Sequence, residues 1–250
     1  MSVKSELTIL LLALILGDQV HTSYIFGGRE AVPHSRPYMV YLKGHVQEGK
    51  SFTCGAFLLN EDFVMTAAHC QADSYNVLLG VHRVSKPKDV QNISVEHAFP
   101  NENYDASDCS NDIMLLKLNS KARFNKNVQP IRLADGGDGS LPKSCAIAGW
   151  GRSDKYPNSK SPVLMEVNVT LVENPNCTKH SYCSEGRNGP GQGDSGSPLV
   201  CEDGRAFGVM SAGSDPSVVP QIYSYTKISD YKDWINSIYK KAAQLKFRML

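Results

Sequence analysis

Gly191-Gln192-Gly193-Asp194-Ser195-Gly196-Ser197-Pro198 is the stretch on which the reading of this chain turns. A serine hydroxyl is a poor nucleophile until a base takes its proton. It also needs backbone N–H donors aimed where an oxyanion will develop. Glycines on both sides of the serine let the backbone turn so that the N–H groups of Gly193 and Ser195 point at one spot. Taken alone, the stretch is also compatible with a glycine-rich surface turn.

Two further segments carry the missing chemistry. The base candidate is His69, in Thr66-Ala67-Ala68-His69-Cys70, directly after the apolar run Phe63-Val64-Met65. The chain has seven histidines, and His69 is set apart by its neighbour Cys70 and the upstream Cys54, a spacing able to staple the strand that carries it. The orienting acid is Asp112, in Asn111-Asp112-Ile113-Met114-Leu115-Leu116. An acid opening so apolar a strand is expected to be partly buried, and a buried carboxylate needs a partner. A base must be neutral to act, so activity is expected to rise with pH through the histidine range.

Composition sets the frame. Of 250 residues, 41% are hydrophobic and 20% charged, and 26 Lys+Arg against 25 Asp+Glu leave a net charge of +1. That is a globular composition, neither disordered nor collagenous. The near-zero charge excludes purely electrostatic capture of nucleic acid. Lys4 precedes the apolar run Leu7–Gly17, too short for a membrane span and suited to a secretory leader, with Val20 and Thr22 as small residues of a cleavage site. Residues 1–22 are thus expected to be a signal peptide, and the protein secreted or stored in a secretory granule, where disulfides persist. The rival reading of that run is a buried N-terminal helix. No other stretch reaches transmembrane length. Sequons at Asn92, Asn168 and Asn176 fit a glycoprotein on this route, the last doubtful because Cys177 stands inside it.

Short β-branched and aromatic runs recur between turn signals. Tyr38–Lys43, Ala56–Leu59, Phe63–Thr66, Asn76–Leu79, Ile113–Leu118, Ser144–Gly149, Val163–Leu171, Pro198–Val200, Ala206–Ser211 and Ile222–Lys227 read as strands, with no repeat and no long linker. This is the pattern of an all-β sandwich or pair of barrels. One helix is expected near the end, capped by Ser229 or Asp230, with Tyr231, Trp234, Ile235 and Ile238 on one face. The basic tail from Lys240 to Leu250 reads as a solvated or frayed terminus.

The order His69, Asp112, Ser195 in a secreted, disulfide-bearing, all-β chain resembles the chymotrypsin-like serine proteases, and within them the granzyme, mast-cell protease and duodenase branch. The resemblance runs from Ile25 to about Tyr239. It is carried by Ile25-Phe26-Gly27-Gly28-Arg29-Glu30-Ala31-Val32-Pro33-His34-Ser35-Arg36-Pro37-Tyr38-Met39, Cys54-Gly55-Ala56-Phe57-Leu58, Ala148-Gly149-Trp150-Gly151, Tyr225-Thr226-Lys227-Ile228 and Trp234-Ile235. It implies two six-stranded antiparallel β-barrels with a C-terminal helix. It implies a zymogen in which Ser23-Tyr24 is a dipeptide removed by a dipeptidyl peptidase, since Tyr24 is no site for a trypsin-like activator. The new α-amino group of Ile25 would then bury against Asp194. Residues 25–250 form the protease domain. Peptides and proteins are the implied substrates, serpin-type inhibitors and proteoglycans the further partners, and no cofactor or metal is implied.

The chain also departs from the family. Ser197 replaces the usual glycine two residues past the nucleophile, and a tolerated side chain is expected there. Gly189 stands at the base of the primary specificity pocket, so no acid waits for Lys or Arg. The pocket wall maps onto Ser211-Ala212-Gly213. Its second glycine maps onto Tyr223 by an ungapped count, or onto Gln221 with a small indel. Either narrows the pocket, and an apolar residue of limited size is the expected P1. The Cys177–Ser195 segment is shorter than in the family.

Seven cysteines contain no C-x-x-C and leave one over. The resemblance implies pairs Cys54–Cys70, Cys145–Cys201 and Cys177–Cys183, the last in a shortened loop. Gly191 stands where the branch lacks the family's further pocket disulfide. Cys109 remains, either as a free thiol or in an intermolecular bond. The alternative to an enzyme is a catalytically inactive binding protein on the same fold, antimicrobial or glycan-binding, motivated by the altered pocket, Ser197 and the basic tail. Such relatives usually lose a triad residue, and none is lost here.

Overall fold

Among the described residues, fourteen strands and one long helix account for the apolar runs. They are β1 (Arg29–Glu30), β2 (Met39–His45), β3 (Ser51–Leu58), β4 (Phe63–Thr66), β5 (Ser74–Leu79), β6 (Gln91–Pro100), β7 (Met114–Leu118), β8 (Cys145–Gly149), β9 (Met165–Val169), β10 (Leu171–Val172), β11 (Ser181–Glu185), β12 (Pro198–Cys201), β13 (Ala206–Gly213), β14 (Ile222–Lys227) and α1 (Lys232–Arg248). This computed structural model describes residues 27–85, 89–136, 141–142, 144–175, 177–214 and 220–248. The leader, the dipeptide, Ile25, Asn176 and the last two residues of the tail lie outside the described residues.

The first sheet closes as a six-stranded barrel in the order β2-β3-β4-β7-β6-β5. Val40, Leu42, Phe57, Val64, Met65, Leu115 and Leu116 are buried in one hydrophobic cluster on the two faces of its strands. The second sheet runs β1-β9-β8-β12-β13-β14-β11-β10. Its β9 and β10 are separated only by Thr170, so two members far apart in that order are one bent strand. The sheet thereby comes round on itself as a second barrel of six, with two-residue β1 added at its edge. Ile147, Met165, Val167, Leu199, Met210 and Tyr225 pack inside it. A third cluster, with Met39, Tyr41, Ala148, Trp150 and Leu164, joins the two units. There the rings of Tyr41 and Trp150 meet edge to face at 5.4 Å.

Three expectations about elements are corrected. Val163–Leu171 is not one strand, because the chain bends at Thr170 to serve two neighbours. Three strands were not expected, the two-residue β1 and the longer β6 and β11. In β6 the alternation of Ile93, Val95 and Phe99 is interrupted by His97, where the register shifts between Val95 and His97. In β11 only Tyr182 and Cys183 are apolar, and buried Ser184 has its hydroxyl hydrogen-bonded to that of Tyr225 at 3.0 Å. Up to Arg248 the tail is helical rather than frayed: α1 continues to that residue, with Ala242 buried and Leu245 packed on the first barrel. Tyr231, Ile235 and Ile238 are buried as their spacing predicts. A single-turn 3₁₀ helix, Ile228–Tyr231, precedes α1. The carboxylate of Asp230, expected as a cap, instead accepts from His180 Nδ1 at 2.8 Å.

Candidate active site

The junction of the barrels brings three distant segments together. His69 lies on a short 3₁₀ turn, Ala68–Cys70, at the end of β4. The disulfide Cys54–Cys70 ties that turn to β3. Asp112 precedes β7, after Asn111 with its left-handed φ of 55°. The Asp112 side chain is fully buried, and its two oxygens take three donors. His69 N–H donates to Oδ1 at 2.9 Å, His69 Nδ1–H to Oδ2 at 2.7 Å, and Ser211 Oγ–H to Oδ2 at 2.6 Å. Such satisfaction is what a buried carboxylate requires. With Nδ1 spent on Asp112, Nε2 is the basic atom left on the imidazole.

Ser195 enters from the second barrel, just before β12. Its carbonyl accepts from Gly55 N–H of β3 at 2.8 Å, so the backbone of Ser195 is pinned to the barrel that carries His69. Asp194 N–H donates to Gly191 O at 3.0 Å, and Ser197 N–H to Asp194 O at 3.0 Å, which closes the turn. Gly193 has a φ of +107°, a conformation that side-chain-bearing residues rarely adopt. His69, Ser195, Gly193, Gln192, Arg152 and Lys160 line one open cleft of about 470 Å³. Arg152 and Lys160 were not singled out in the sequence, where nothing local marks them. Lys160 Nζ donates to Thr53 O at 3.0 Å, and burial pulls its ammonium below the ordinary lysine value.

Asp194 does not line the cleft and is fully buried. It accepts from Gly151 N–H at 2.6 Å and from Gly191 N–H at 2.8 Å. A Cβ on Gly149 would stand 2.0 Å from its Oδ1, so this seat exists only because the residue is glycine. Among the described residues no cation lies within salt-bridge reach of it. Burial pushes its carboxyl up to about 6, against the pull of the two backbone donors and the more distant Lys160.

Ser197 is fully buried, and its hydroxyl has no hydrogen-bond partner among the described residues. It lies against Gly55, where a Cβ would come within 2.0 Å of Ser197 Oγ. Ser197→Ala is therefore expected to be neutral or to stabilise by about 1 kcal/mol, ~2–4 °C in Tm. A melting temperature lowered by that amount in scanning calorimetry would show that the hydroxyl is satisfied.

The residues expected in the specificity pocket also lie together. Ser211, Ala212 and Gly213 end β13, and Gly213 pairs with Tyr223 of β14. Of the two residues expected for the second wall position, Tyr223 is the one that lies opposite Gly213. Its ring covers Gly189, and its hydroxyl donates to Gln221 Oε1 at 2.6 Å. The remaining disulfides are Cys145–Cys201 and Cys177–Cys183. Cys109 is unpaired and half-buried, and burial with the charge of Asp112 pushes its thiol up. Cys54, His69 and Cys70 cluster as metal ligands do, yet both sulfurs are spent in a disulfide.

A twin-barrel fold with a serine, a histidine and a buried aspartate at its junction defines the class of serine endopeptidases. The family model described as Trypsin matches residues 25–235, and the chain belongs to this family of chymotrypsin-like serine proteases. It is 38% identical to human granzyme B over 93% of this chain and 98% of that one. It is 36% identical to granzyme F of Mus musculus over 91% and 96%, and 36% identical to human cathepsin G over 92% of each. A solved structure of GrC superposes with a TM-score of 0.76 at 33% identity, covering 86% of this chain and 99% of that one. Among the described residues no helix is long and apolar enough to cross a membrane.

Proposed function

We propose that this serine endopeptidase works through His69, Asp112 and Ser195, and that it is made as a secreted or granule-stored zymogen. The observation that carries the triad is the 2.7 Å contact of His69 Nδ1 with buried Asp112, in the cleft that also holds Ser195. Ser195 Oγ forms a bond to the peptide carbonyl carbon while its proton passes to His69 Nε2. The oxyanion takes hydrogen bonds from Gly193 and Ser195 N–H. His69 then protonates the leaving amine, the C–N bond breaks, and an acyl-enzyme remains. Water repeats the sequence and releases the acid. Asp112 holds the ring and stabilises the imidazolium.

The exposed end of β13 suits substrate binding. Ala212 and Gly213 pair only with β14 among the described residues, because the pairing with β12 stops at Val209. Their other edge can take an extended peptide as an added strand. Gly189 offers no charge to a basic side chain, so cleavage after Lys or Arg is not expected. Labelling by a fluorophosphonate of the chain cut before Ile25 tests the reading. Failure to label would leave the inactive binding protein as the better account.

Activation is read from Asp194. The α-amino group of Ile25 supplies the cation that this buried carboxylate lacks among the described residues. In the uncut chain, the carboxyl's folded-state value above the ordinary range means that the folded form holds the proton more tightly than the unfolded form. The burial penalty is therefore fully present above about pH 6 and is relieved as the pH falls toward about 4, a gain of about 3 kcal/mol in stability. Uncut wild type is expected to gain stability over this window relative to Asp194→Asn, and the chain cut before Ile25 to lose that gain. Parallel melting-temperature profiles of uncut wild type and Asp194→Asn would contradict it.

A further inference from the structure

Tyr223 occupies space that a substrate would need. Three of its ring atoms lie 2.3, 2.5 and 2.8 Å from where a Cβ on Gly189 would stand. Two more lie 3.4 and 3.6 Å from the corresponding point on Gly213. The ring thus fills the gap between the base and the wall of the primary pocket. It is no loosely held side chain. Tyr223 is only 3% exposed and belongs to the same core cluster as Tyr225 and Met210. Its strand neighbours Ser184 and Gly213 hold the backbone on both sides. Its hydroxyl is satisfied by Gln221. Burial pushes that hydroxyl's pKa up, so it stays a neutral donor.

We propose that the primary pocket of this protease is filled by its own Tyr223, held through Gln221, so that the enzyme cleaves after glycine, alanine or serine. The proposal rests on the protease reading above and names its substrate class. A residue with at most two heavy side-chain atoms makes no demand on the volume beneath the rim. A leucine or phenylalanine must first expel a packed ring and break its hydrogen bond, and that cost is subtracted from whatever its own burial returns. Glycine at 189 removes the attraction for basic side chains, and the tyrosine removes the room for large apolar ones. An apolar P1 residue of limited size is the coarser expectation, and the proposal sharpens it to the smallest side chains.

The test is a P1-scanning peptide library on the chain cut before Ile25, in wild type, Tyr223→Gly and Tyr223→Ala, with fluorophosphonate labelling of each. Wild type is expected to favour Gly, Ala and Ser over Leu, Met and Phe by about 10-fold or more. Tyr223→Gly is expected to raise kcat/KM for Phe and Leu relative to Ala by about 100-fold, and Tyr223→Ala to move the same way by less. A labelled wild type that prefers Leu, Met or Phe overturns the proposal. So does an unchanged profile in a labelled variant. If a variant fails to label because it does not fold, the wild-type profile decides. A wild type that does not label overturns the protease reading itself, and this proposal with it.

Discussion

Ser195→Ala is expected to lower kcat by about 10⁵–10⁶-fold and to abolish fluorophosphonate labelling, with the fold intact. The expectation of an intact fold comes from where the bonds lie. The backbone of Ser195 is held by Gly55 N–H at 2.8 Å, and the turn around it by bonds among Gly191, Asp194 and Ser197. None of these uses the hydroxyl. The substitution therefore removes the nucleophile and leaves His69, Asp112 and the N–H groups of Gly193 and residue 195 in place. The small activity that survives over water would come from those donors and from substrate binding. Hydrolysis and melting temperature should be measured together. An unchanged melting temperature with the loss of activity assigns the effect to chemistry. More than about 1% residual kcat would remove Ser195 from the role of nucleophile.

Asp112→Asn is expected to lower kcat by about 10⁴-fold. The carboxylate receives donors on both oxygens: His69 N–H on Oδ1, and His69 Nδ1–H with Ser211 Oγ–H on Oδ2. An amide of the same shape has one accepting oxygen and one NH₂. If the oxygen keeps the His69 backbone, the NH₂ faces Nδ1, and the ring must put its proton on Nε2. That tautomer cannot accept the proton of Ser195. If the amide turns over, NH₂ faces the backbone N–H, and two buried donors oppose each other. The Ser211 hydroxyl can rotate, but the histidine backbone cannot. A kcat within 10-fold of wild type would show that Asp112 does not set the tautomer.

The sequence makes the candidate catalytic segments legible because each carries local chemistry. Gly193 and Ser195 stand in a run of glycines, and His69 and Asp112 border apolar strands. What the linear text conceals is partnership. Ser211 was expected in the pocket wall, and it is also the third donor to Asp112, 99 residues away. Arg152 and Lys160 reach the cleft from a loop with no pattern of its own. The strands Gln91–Pro100 and Ser181–Glu185 escaped for a related reason. Their inward residues include a histidine and a serine, and cross-strand contacts replace the alternation that a sequence displays.

By itself the sequence determined the class: β-rich periodicity, the order of His69, Asp112 and Ser195, and Cys54 and Cys70 spaced to staple the strand that carries His69. These are properties of residue type and spacing, which folding preserves. The tertiary structure alone decided the state of two buried spaces. It placed the Tyr223 ring against Gly189, 34 positions earlier in the chain. It also enclosed Asp194 with only backbone donors among the described residues as direct partners. Whether a cavity is open or filled, and whether a carboxylate has a cation, depends on which distant atoms share a volume. No local pattern of residues carries that information.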